Sequence, residues 1–207
     1  MSLPLKRFKV LDLSRLAAGN MVSHMLADYG ADVIKVEKPG KGDDLRNWKV
    51  KNVSHWWHVY SRNKRSIALD FKSDIGIDIL KELIKSSDIF IENFVPGTLE
   101  KWGLSPKSLL KINQNLIILR ISGWGQTGLY KNQPGFGSLV EGMSGFASMT
   151  GEKNQMPMLP PTALADMISG LTGFSSLLLA LLAKRDHKVK GRVIDLSLFE
   201  PLFSIIG

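Results

Sequence analysis

The sequence predicts an α/β protein built on a Rossmann-like, doubly wound and mainly parallel sheet. Short apolar runs typical of buried strands alternate with segments whose apolar residues recur at helical spacing. This alternation favours parallel strands joined by crossover helices on both faces of one sheet. The chain has 207 residues, of which 44% are hydrophobic, so it is long enough to bury a substantial core.

The first βαβ unit is predicted within residues 8–37. The segment "FKVLDLS" (8–14) is typical of a buried strand, "MVSHMLADYG" (21–30) of a short helix ended by glycine, and "ADVIKVE" (31–37) of a second strand. Glu37 ends that strand, where dinucleotide-binding proteins hold a ribose. The first turn, however, has one glycine where the dinucleotide fingerprint needs three, so we do not predict an NAD site.

The central elements continue the alternation of strands and helices. Helical spacing of apolar residues is clearest at Ile75, Ile79 and Leu83. In chain order we predict a short strand at 67–70, a helix within 72–88, a strand at 89–94, a helix with Ser105 as N-cap and Pro106 at its first position, and a strand at 116–122.

The last third of the chain begins with a glycine-rich stretch, 123–151, predicted to be a long loop close to a ligand, with a short helix near Val140. A helix after Asp166 and a strand at 192–197 follow. The stretch 164–183 is long enough to span a membrane, but its aspartate, serines and glycines would be costly in lipid, so we predict a buried helix. Because the chain ends in an apolar segment, we expect a fragment or one part of an interlocked assembly.

The basic composition raises three kinds of partner. The formal net charge is +8 and the sequence pI is about 9.7, which suits nucleic acid, an anionic membrane surface or a phosphorylated small molecule. The densest basic group, at 62–66, lacks interleaved aromatic residues and any nucleic-acid motif. We therefore predict a phosphate-bearing ligand, with no nucleic acid and no membrane. The opening residues 1–10 contain no apolar targeting segment, which favours the cytoplasm.

Several kinds of catalytic or metal site are disfavoured by the residues present. The chain has no cysteine, which excludes disulfides, thiolate metal sites and cysteine nucleophiles. His24, His55, His58 and His187 lack metal-ligand spacing, so no metal is predicted. The segment "GMSGF" (142–146) does not supply the G-x-S-x-G elbow of a serine hydrolase, and no Walker sequence is present.

The acidic residues offer one candidate for chemistry. Asp43 and Asp44 lie beside Lys41 and Arg46, a pattern typical of a solvated turn. Asp166 lies between small residues at the start of a long apolar stretch, where it is either a helix cap or a reactive group. Because capping aspartates are far commoner than nucleophilic ones, this local pattern alone favours the cap.

Six segments, in order, carry a resemblance to a known family. The sequence resembles the type III CoA-transferases, which include formyl-CoA transferase, carnitine CoA-transferase and related acyl-CoA racemases, over essentially all 207 residues. The segments are "VLDLSRLAAGNMVSHMLADYGADVIKVEKPGKGDDLR", "NKRSIALDFK", "IENFVPGTLEKWGL", "ISGWGQTGLY", "PGFGSLVEGMSGF" and "ALADMISG".

The resemblance implies a Rossmann-like large domain joined to a smaller one, with two subunits interlocked as a homodimer. Members of the family are about twice this length. Residues 1–207 are therefore expected to be the N-terminal part of the CoA-binding large domain. The smaller domain and the C-terminal return segment are expected to be absent from it.

The resemblance also maps the family's catalytic aspartate onto Asp166. Attack of its carboxylate on an acyl-CoA thioester would give an acyl-aspartyl anhydride, and CoA thiolate would then form an aspartyl-CoA thioester as the first acid leaves. A second acid would run the sequence backwards. The substrates implied are acyl-CoA and a small carboxylic acid. A helix start would favour the aspartate as its anion, and the six segments together favour the nucleophile over the cap.

Coenzyme A contacts are implied at a further set of positions. Lysines there would meet the phosphates, and Phe94 or Leu69 would cover the adenine. Some members have glutamine where this chain has Ala17, and arginine where it has Lys38 and Lys101, so bidentate phosphate contacts are lost. The full set is Ala17, Ala18, Lys38, Leu69, Asp70, Phe71, Lys72, Asn93, Phe94, Val95, Lys101, Pro134, Gly135, Phe136 and Gly137.

Two alternatives to CoA transfer remain open. The family's racemases place a histidine after the glycine matched by Gly135 to exchange an α-proton together with the aspartate. This chain has Phe136 there, and no histidine lies between His58 and His187, which disfavours racemisation. The second alternative is a non-catalytic CoA-binding fragment, because a half-length chain need not close its site.

Overall fold

The computed structural model describes residues 3–187 and 189–207. A single six-stranded sheet has the order β3-β2-β1-β4-β5-β6, and every neighbouring pair is parallel. This is the strand order of the Rossmann fold, and it confirms the predicted fold class. The strands are β1 (Lys9–Asp12), β2 (Asp32–Glu37), β3 (Lys64–Ala68), β4 (Ile89–Glu92), β5 (Ile117–Ser122) and β6 (Arg192–Ser197).

Helices cover both faces of the sheet and bury a separate apolar core on each. The strand side chains alternate between the two cores, as Ile89 and Phe90 do on β4. The helices are α1 (Leu16–Asp28), α2 (His55–Tyr60), α3 (Asp74–Lys85), α4 (Thr98–Lys101), α5 (Pro106–Ile112), α6 (Gly137–Met143), α7 (Phe146–Met149), α8 (Leu164–His187) and α9 (Phe199–Ile206). Residues of α1, α6, α8 and α9 contribute to one core, and those of α3, α4 and α5 to the other.

The strand order places a topological switch point between β1 and β4, the two central strands that pair although they are not consecutive. In open parallel sheets, ligands bind in the crevice outside the carboxyl ends of the strands at this point. Here β1 leads into the turn at Arg15, and β4 leads into Asn93. The fold alone therefore directs attention to these two loops.

Helix α8 is long and apolar enough to cross a membrane by length and composition. In this structure its inner face packs against α1, where Gly170 leaves no room for a side chain: a Cβ there would lie 2.8 Å from Sδ of Met21. The outer face is exposed, which differs from the predicted buried helix. Its exposed side chains include Leu171, Leu178, Leu179 and Leu182.

Several element boundaries differ from those predicted. Helix α1 begins at Leu16 instead of 21, because its first residue is held by two side chains: Asp43, outside the helix, accepts from the Leu16 amide, and Asn20, within it, donates to the Leu16 carbonyl. Strand β3 covers Lys64–Ala68 instead of 67–70, since its polar start pairs with β2 at the sheet edge. The N-cap at Ser105 is confirmed, as its Oγ accepts from the Ser108 amide at 3.2 Å.

Four short helices and one turn were not predicted. They are α2, α4, α7, α9 and a 3₁₀ turn at Asp44–Asn47. Helix α2 is rich in aromatic residues and buries no residue fully, so it shows no apolar stripe that a sequence pattern could reveal. The 3₁₀ turn corrects another prediction: Asp44 is solvated, but Asp43 is only 1% exposed.

Candidate active site

Two cavities lie at the carboxyl edge of the sheet, one on either side of the β1–α1 turn. The larger has a volume of about 260 Å³ and is lined by residues that follow β1, β2, β3 and β4. The smaller, of about 110 Å³, contains Asp166 and is lined by residues from α1, the end of β5 and the start of α6. The turn at Arg15 and Leu16 separates them, because Arg15 lines the larger cavity and Leu16 the smaller.

Asp166 lies in the first turn of α8 and faces the first turn of α1. The backbone N–H of Ala18 donates to its Oδ1 at 3.2 Å across 148 positions of sequence. Two helix N-termini therefore meet at one carboxylate, and both dipoles favour negative charge there. Asp166 is more than a cap for its own helix, since the hydrogen bond from Ala18 comes from a different helix.

The ionisation of Asp166 departs from the expectation that the helix start alone would hold it as the anion. Burial raises the pKa of Asp166 to about 6, and this effect outweighs the hydrogen bond from the Ala18 amide, which lowers the pKa. The nearby carboxylate of Glu141 raises the pKa further. Glu141 is 3% exposed and accepts a hydrogen bond from the Ala165 amide at 3.1 Å. A carboxylate with this pKa is largely ionised at pH 7 but poorly solvated.

Glycines line part of the small cavity that contains Asp166. The backbones of Gly123 and Gly135 touch, and a Cβ added at Gly135 would lie 2.5 Å from Cα of Gly123. The Nε1 of Trp124 donates to the Pro134 carbonyl at 2.9 Å and fixes this loop against the end of β5. The sequence prediction of a glycine-rich loop close to the site is therefore consistent with the structure, and backbone atoms of this loop line part of the cavity.

The turn between the two cavities is clamped by Asn93. Its Oδ1 accepts from the Arg15 amide at 2.7 Å, and its Nδ2 donates to the Arg15 carbonyl at 2.6 Å. The Arg15 guanidinium lies over the ring of Phe94, 5.4 Å from the centroid. Sequence reasoning missed Arg15 because it lies in a turn, where an arginine is normally only a solvated charge.

The larger cavity combines an apolar lining with a cationic rim. Leu69 and Phe94 are buried against it, and the edge of the Phe94 ring meets Trp102 at a centroid distance of 5.1 Å. Lys38 and Lys72 line the rim and are exposed. An aromatic base would find apolar contacts inside, and phosphates would find cations at the edge.

The structure brings together most of the predicted site residues. Three of them line neither of these cavities. Ala17 is fully buried in α1, so only its backbone could approach a ligand, and Lys101 is exposed on α4. The third, Pro134, contributes through its carbonyl to the fold of the loop. The larger cavity is lined by Lys38, Leu69, Asp70, Phe71, Lys72, Phe94 and Val95, and the smaller by Ala18, Asn93, Gly135, Phe136, Gly137 and Asp166.

Glu37 is engaged within the protein. It accepts from Arg46 Nε and Nη2 at 2.7 and 2.8 Å, from Ser66 Oγ at 2.6 Å and from the Asp43 amide at 2.8 Å. Burial would raise the pKa of Glu37, but these hydrogen bonds lower it to about 2. Because its oxygens are already occupied, Glu37 is poorly placed to bind a ribose, in agreement with the missing dinucleotide fingerprint.

The histidines are dispersed over the fold. Within residues 3–187 and 189–207, no three or more side chains of histidine, aspartate or glutamate form a group that could hold a metal ion. His24 is buried beside Tyr60, with a ring centroid distance of 5.5 Å. The side chain of His187 lies outside the part of the chain that the structure describes.

Comparisons with known proteins agree with this architecture. Residues 5–207 match the model of a family described as CoA-transferase family III. Two similar proteins come from Chloroflexus aurantiacus: a succinyl-CoA–D-citramalate CoA-transferase, 39% identical over 98% of this chain, and the beta subunit of a succinyl-CoA–L-malate CoA-transferase, 42% identical over 98%. The chain spans 51% of each, so it is about half the length of these curated relatives.

A solved structure shares the same fold. The crystal structure of a CaiB/BaiF family protein from Brucella suis is 37% identical, with a TM-score of 0.94. The match covers 100% of this chain and 56% of that one. The arrangement of sheet, helices and site loops described above is therefore similar to one seen in a longer protein.

Proposed function

This chain belongs to CoA-transferase family III, and from that premise we propose that it binds acyl-CoA and carries the nucleophile of an enzyme that moves CoA between carboxylic acids. The observation that supports this most strongly is the position of Asp166. Its carboxylate meets two helix N-termini in a small cavity, and its burial raises its pKa to about 6.

The larger cavity is the proposed site for the nucleotide end of coenzyme A. Its apolar lining at Leu69, Phe94 and Trp102 would cover the adenine, and Lys38 and Lys72 would neutralise phosphates. The pantetheine arm would then pass along the Arg15 turn, which lies between the two cavities, and reach Asp166.

In the first proposed step, a carboxylate oxygen of Asp166 attacks the thioester carbonyl of the acyl-CoA donor. A C–O bond forms as the C–S bond breaks, and CoA leaves as the thiolate with the bonding electron pair. The product on the protein is an acyl-aspartyl anhydride. Poor solvation of the Asp166 carboxylate favours this attack, because less water has to be removed from the nucleophile.

In the second step, the thiolate attacks the aspartyl carbonyl of the anhydride. A C–S bond forms to Asp166, the anhydride C–O bond breaks, and the donor acid leaves as its carboxylate. An acceptor carboxylate then repeats both steps in reverse and leaves with CoA. No net proton is transferred, so the site needs no general base. The small size of the cavity would limit competing attack by water.

The oxyanion that forms during each attack needs hydrogen-bond donors close to Asp166. Gly135 and Gly137 line the same cavity, and neither has a side chain that would cover its backbone. We propose that amide N–H groups of this segment and of the α1 N-terminus stabilise the developing charge. The dipole of α1 adds to this, because its N-terminus already faces the carboxylate.

The names of the relatives suggest the donor to test first. Both Chloroflexus proteins, and a human protein named succinyl-CoA:glutarate CoA-transferase that is 39% identical over 94% of this chain, are named for succinyl-CoA. We propose that the donor is a short dicarboxylyl-CoA, with succinyl-CoA as the first compound to test. The family resemblance further suggests self-association of the chain or a C-terminal-half partner, and we also propose a cytoplasmic location.

Intact-mass spectrometry tests the assignment of Asp166. The chain is incubated with succinyl-CoA, quenched in acid and digested, and the adduct is mapped. We expect a CoA or succinyl adduct on Asp166 that is lost in Asp166→Ala and kept in Asp78→Ala, a change at an exposed aspartate of α3 with 71% of its side chain accessible. CoA binding, measured by calorimetry, should survive in both variants.

Other outcomes separate the alternatives. CoA binding without any covalent adduct would contradict the nucleophile and favour a non-catalytic CoA-binding fragment. Incorporation of deuterium at the α-carbon of an acyl-CoA in deuterated water would favour a racemase instead. The structure gives no support to the latter, since Phe136 lines the small cavity where the racemases place histidine.

A further inference from the structure

A buried network of charged side chains lies directly beneath the β1–α1 turn. Asp12, Lys35 and Asp43 are each at most 1% exposed, and the side chain of Lys64 is 2% exposed. Lys35 Nζ lies 3.0 Å from Asp43 Oδ2 and 3.5 Å from Asp12 Oδ1, while Lys64 Nζ lies 3.5 Å from Asp12 Oδ2. Buried charges are costly unless they are fully paired. A network this dense therefore suggests a functional role.

Asp43 is the member of this network that reaches the turn itself. Its Oδ1 accepts from the amides of Leu16 at 3.0 Å and Leu45 at 2.9 Å. Its Oδ2 accepts from Asn20 Nδ2 at 2.7 Å and meets Lys35 Nζ at 3.0 Å. Both oxygens are thus engaged by partners on separate parts of the fold, and the carboxylate is rigidly placed.

The residue that Asp43 holds is strained. Leu16 has φ of +61°, in the left-handed region that a leucine rarely adopts, at a cost of about 1–3 kcal/mol. Asn20 Nδ2 donates to the Leu16 carbonyl at 2.7 Å, so both backbone polar groups of Leu16 are tied by side chains. Such a conformation persists only where the surroundings impose it.

The strained residue determines where the next amides point. Ala18, two positions after Leu16, donates its N–H to Oδ1 of Asp166. If Leu16 relaxed to a right-handed conformation, the first turn of α1 would change direction and the Ala18 N–H would leave Asp166. We propose that Asp43 is a positioning residue for the nucleophile: by holding Leu16 in its left-handed conformation, it directs the Ala18 amide at Asp166.

This inference rests on the proposed role of Asp166 for its importance to catalysis, but the positioning itself does not require any reaction. The rest of the network supports it at the other end of the turn, where Lys35 Nζ donates to the Ser14 carbonyl. Asp43 is also near Arg46, which pairs with Glu37. The turn is therefore braced by charged groups from β1, β2 and the 3₁₀ turn.

The substitution Asp43→Asn separates positioning from simple electrostatics, because the two have opposite signs. Removing a negative charge near Asp166 would stabilise its anion and lower its pKa. Releasing the Ala18 amide would remove a hydrogen bond to the anion and raise the pKa above about 6. Only the positioning role predicts a rise. Glu141, the charged group that raises the pKa of Asp166, is unchanged by the substitution.

The pKa of Asp166 can be measured in this chain without any substrate. Proteins labelled with ¹³C at the aspartate carboxyl are titrated by NMR, and the Asp166 signal is assigned from its loss in Asp166→Asn. We expect Asp43→Asn to raise this pKa by roughly one pH unit, which corresponds to the loss of one hydrogen bond. The matched control is Asp28→Asn, which removes a carboxylate that pairs with Arg62 at the other end of α1. It should leave the pKa unchanged or lower it slightly.

Two further variants keep the proposal testable if Asp43→Asn does not fold. Asn20→Ala removes the tie to the Leu16 carbonyl without changing any charge, and we expect a smaller rise in the pKa of Asp166. Leu16→Gly accepts a positive φ without strain, so added to Asp43→Asn it should restore part of the original pKa. A fall or no change in both Asp43→Asn and Asn20→Ala would overturn the proposal. That failure would differ from failure of the nucleophile assignment, which is read from the covalent adduct.

Discussion

Gly137 and Asp166 lie so close that no side chain fits between them. A Cβ added at Gly137 would lie 2.7 Å from Oδ2 of Asp166. Gly137 is the first residue of α6 and is buried, while Asp166 belongs to α8, so the contact joins two helices at the small cavity. Because position 137 has no side chain, no Cβ from this position contacts the second oxygen of the carboxylate.

Gly137→Ala should therefore block the chemistry while leaving the fold and CoA binding largely intact. The added methyl group would contact Oδ2 of Asp166 and either displace the carboxylate or cover the oxygen that attacks. We expect the amount of adduct formed from succinyl-CoA to fall by more than about tenfold, because small displacements of reacting groups slow a reaction strongly. Quenched mass spectrometry measures the adduct, and calorimetry measures CoA binding.

Gly142→Ala is the matched control for this prediction. It lies on the same helix, α6, and a Cβ there would meet no atom within 4 Å. Adduct formation should stay near the level of the unmodified chain. Equal losses in both variants would mean that α6 as a whole is sensitive to alanine, and that the contact between positions 137 and 166 has no special role.

Asp166→Asn should stabilise the folded protein at neutral pH. Burial raises the pKa of Asp166 from 3.8 to about 6, so between these values the folded state binds more protons than the unfolded state. The stability present below about pH 4 is therefore lost as the pH rises through about 6. Asparagine cannot ionise, so the free energy of unfolding of the Asp166→Asn variant at pH 7 should be higher than that of the unmodified chain by on the order of 1–3 kcal/mol.

Urea denaturation at several pH values checks this prediction. The gain from Asp166→Asn should be present at pH 7 and should vanish near pH 4, where the aspartate is protonated. Asp78→Asn, at an exposed position paired with Lys81, should change stability by no more than about 0.5 kcal/mol at either pH. A gain that is the same at both pH values would show that the effect is not due to ionisation.

The rate of adduct formation should fall on the acidic side of neutrality. Only the ionised carboxylate attacks, and with a pKa of about 6 the ionised fraction at pH 5 is about one tenth. Glu141→Gln removes the negative charge that helps to raise this pKa, and its amide oxygen can still accept from the Ala165 amide. The acidic limb should therefore move to lower pH in this variant. Single-turnover rates between pH 4.5 and 8 measure the shift, and a limb that stays in place would argue against coupling of the two carboxylates.

The sheet could be predicted from the sequence because its signals are local. Runs such as 116–119 are apolar throughout, as is typical of strands buried on both faces, and the N-cap at Ser105 depends on residues within one helical turn. β3 was misplaced because it is an edge strand whose polar residues are paired elsewhere: Lys64 in the buried network and Arg65 with Asp32. No local pattern reveals such long-range pairing.

The site was harder to predict for the same reason. Asp166 and Ala18 meet across 148 positions, and only resemblance to a family could suggest that both belong to one site. Asp43 was predicted to be solvated because its neighbours are charged, yet its partners Leu16 and Lys35 come from other elements and bury it. Composition describes a residue's neighbours in the chain, whereas burial depends on its neighbours in the fold.

Breaking the buried pair of Arg120 and Glu92 should destabilise the fold strongly. Arg120 Nε lies 2.7 Å from Glu92 Oε1, and their side chains are 7% and 1% exposed. Arg120→Met would leave the Glu92 carboxylate buried without its cation, and we expect the free energy of unfolding to fall by about 3–5 kcal/mol. Lys85→Met, which breaks an exposed pair with Glu82, should change it by less than about 1 kcal/mol.

The loss of stability in Arg120→Met should depend on pH and on whether Glu92 is still present. Burial already raises the pKa of Glu92 although Arg120 opposes the rise, so without Arg120 the carboxyl will be protonated at higher pH. A protonated Glu92 no longer carries a buried charge, and the cost of Arg120→Met should shrink as the pH is lowered. Adding Glu92→Gln should recover part of the loss at pH 7, because the glutamine oxygen can still accept from the Phe94 amide. A loss that is independent of pH and unchanged in the double variant would mean that Arg120 acts through packing of its side chain and that its charge contributes little.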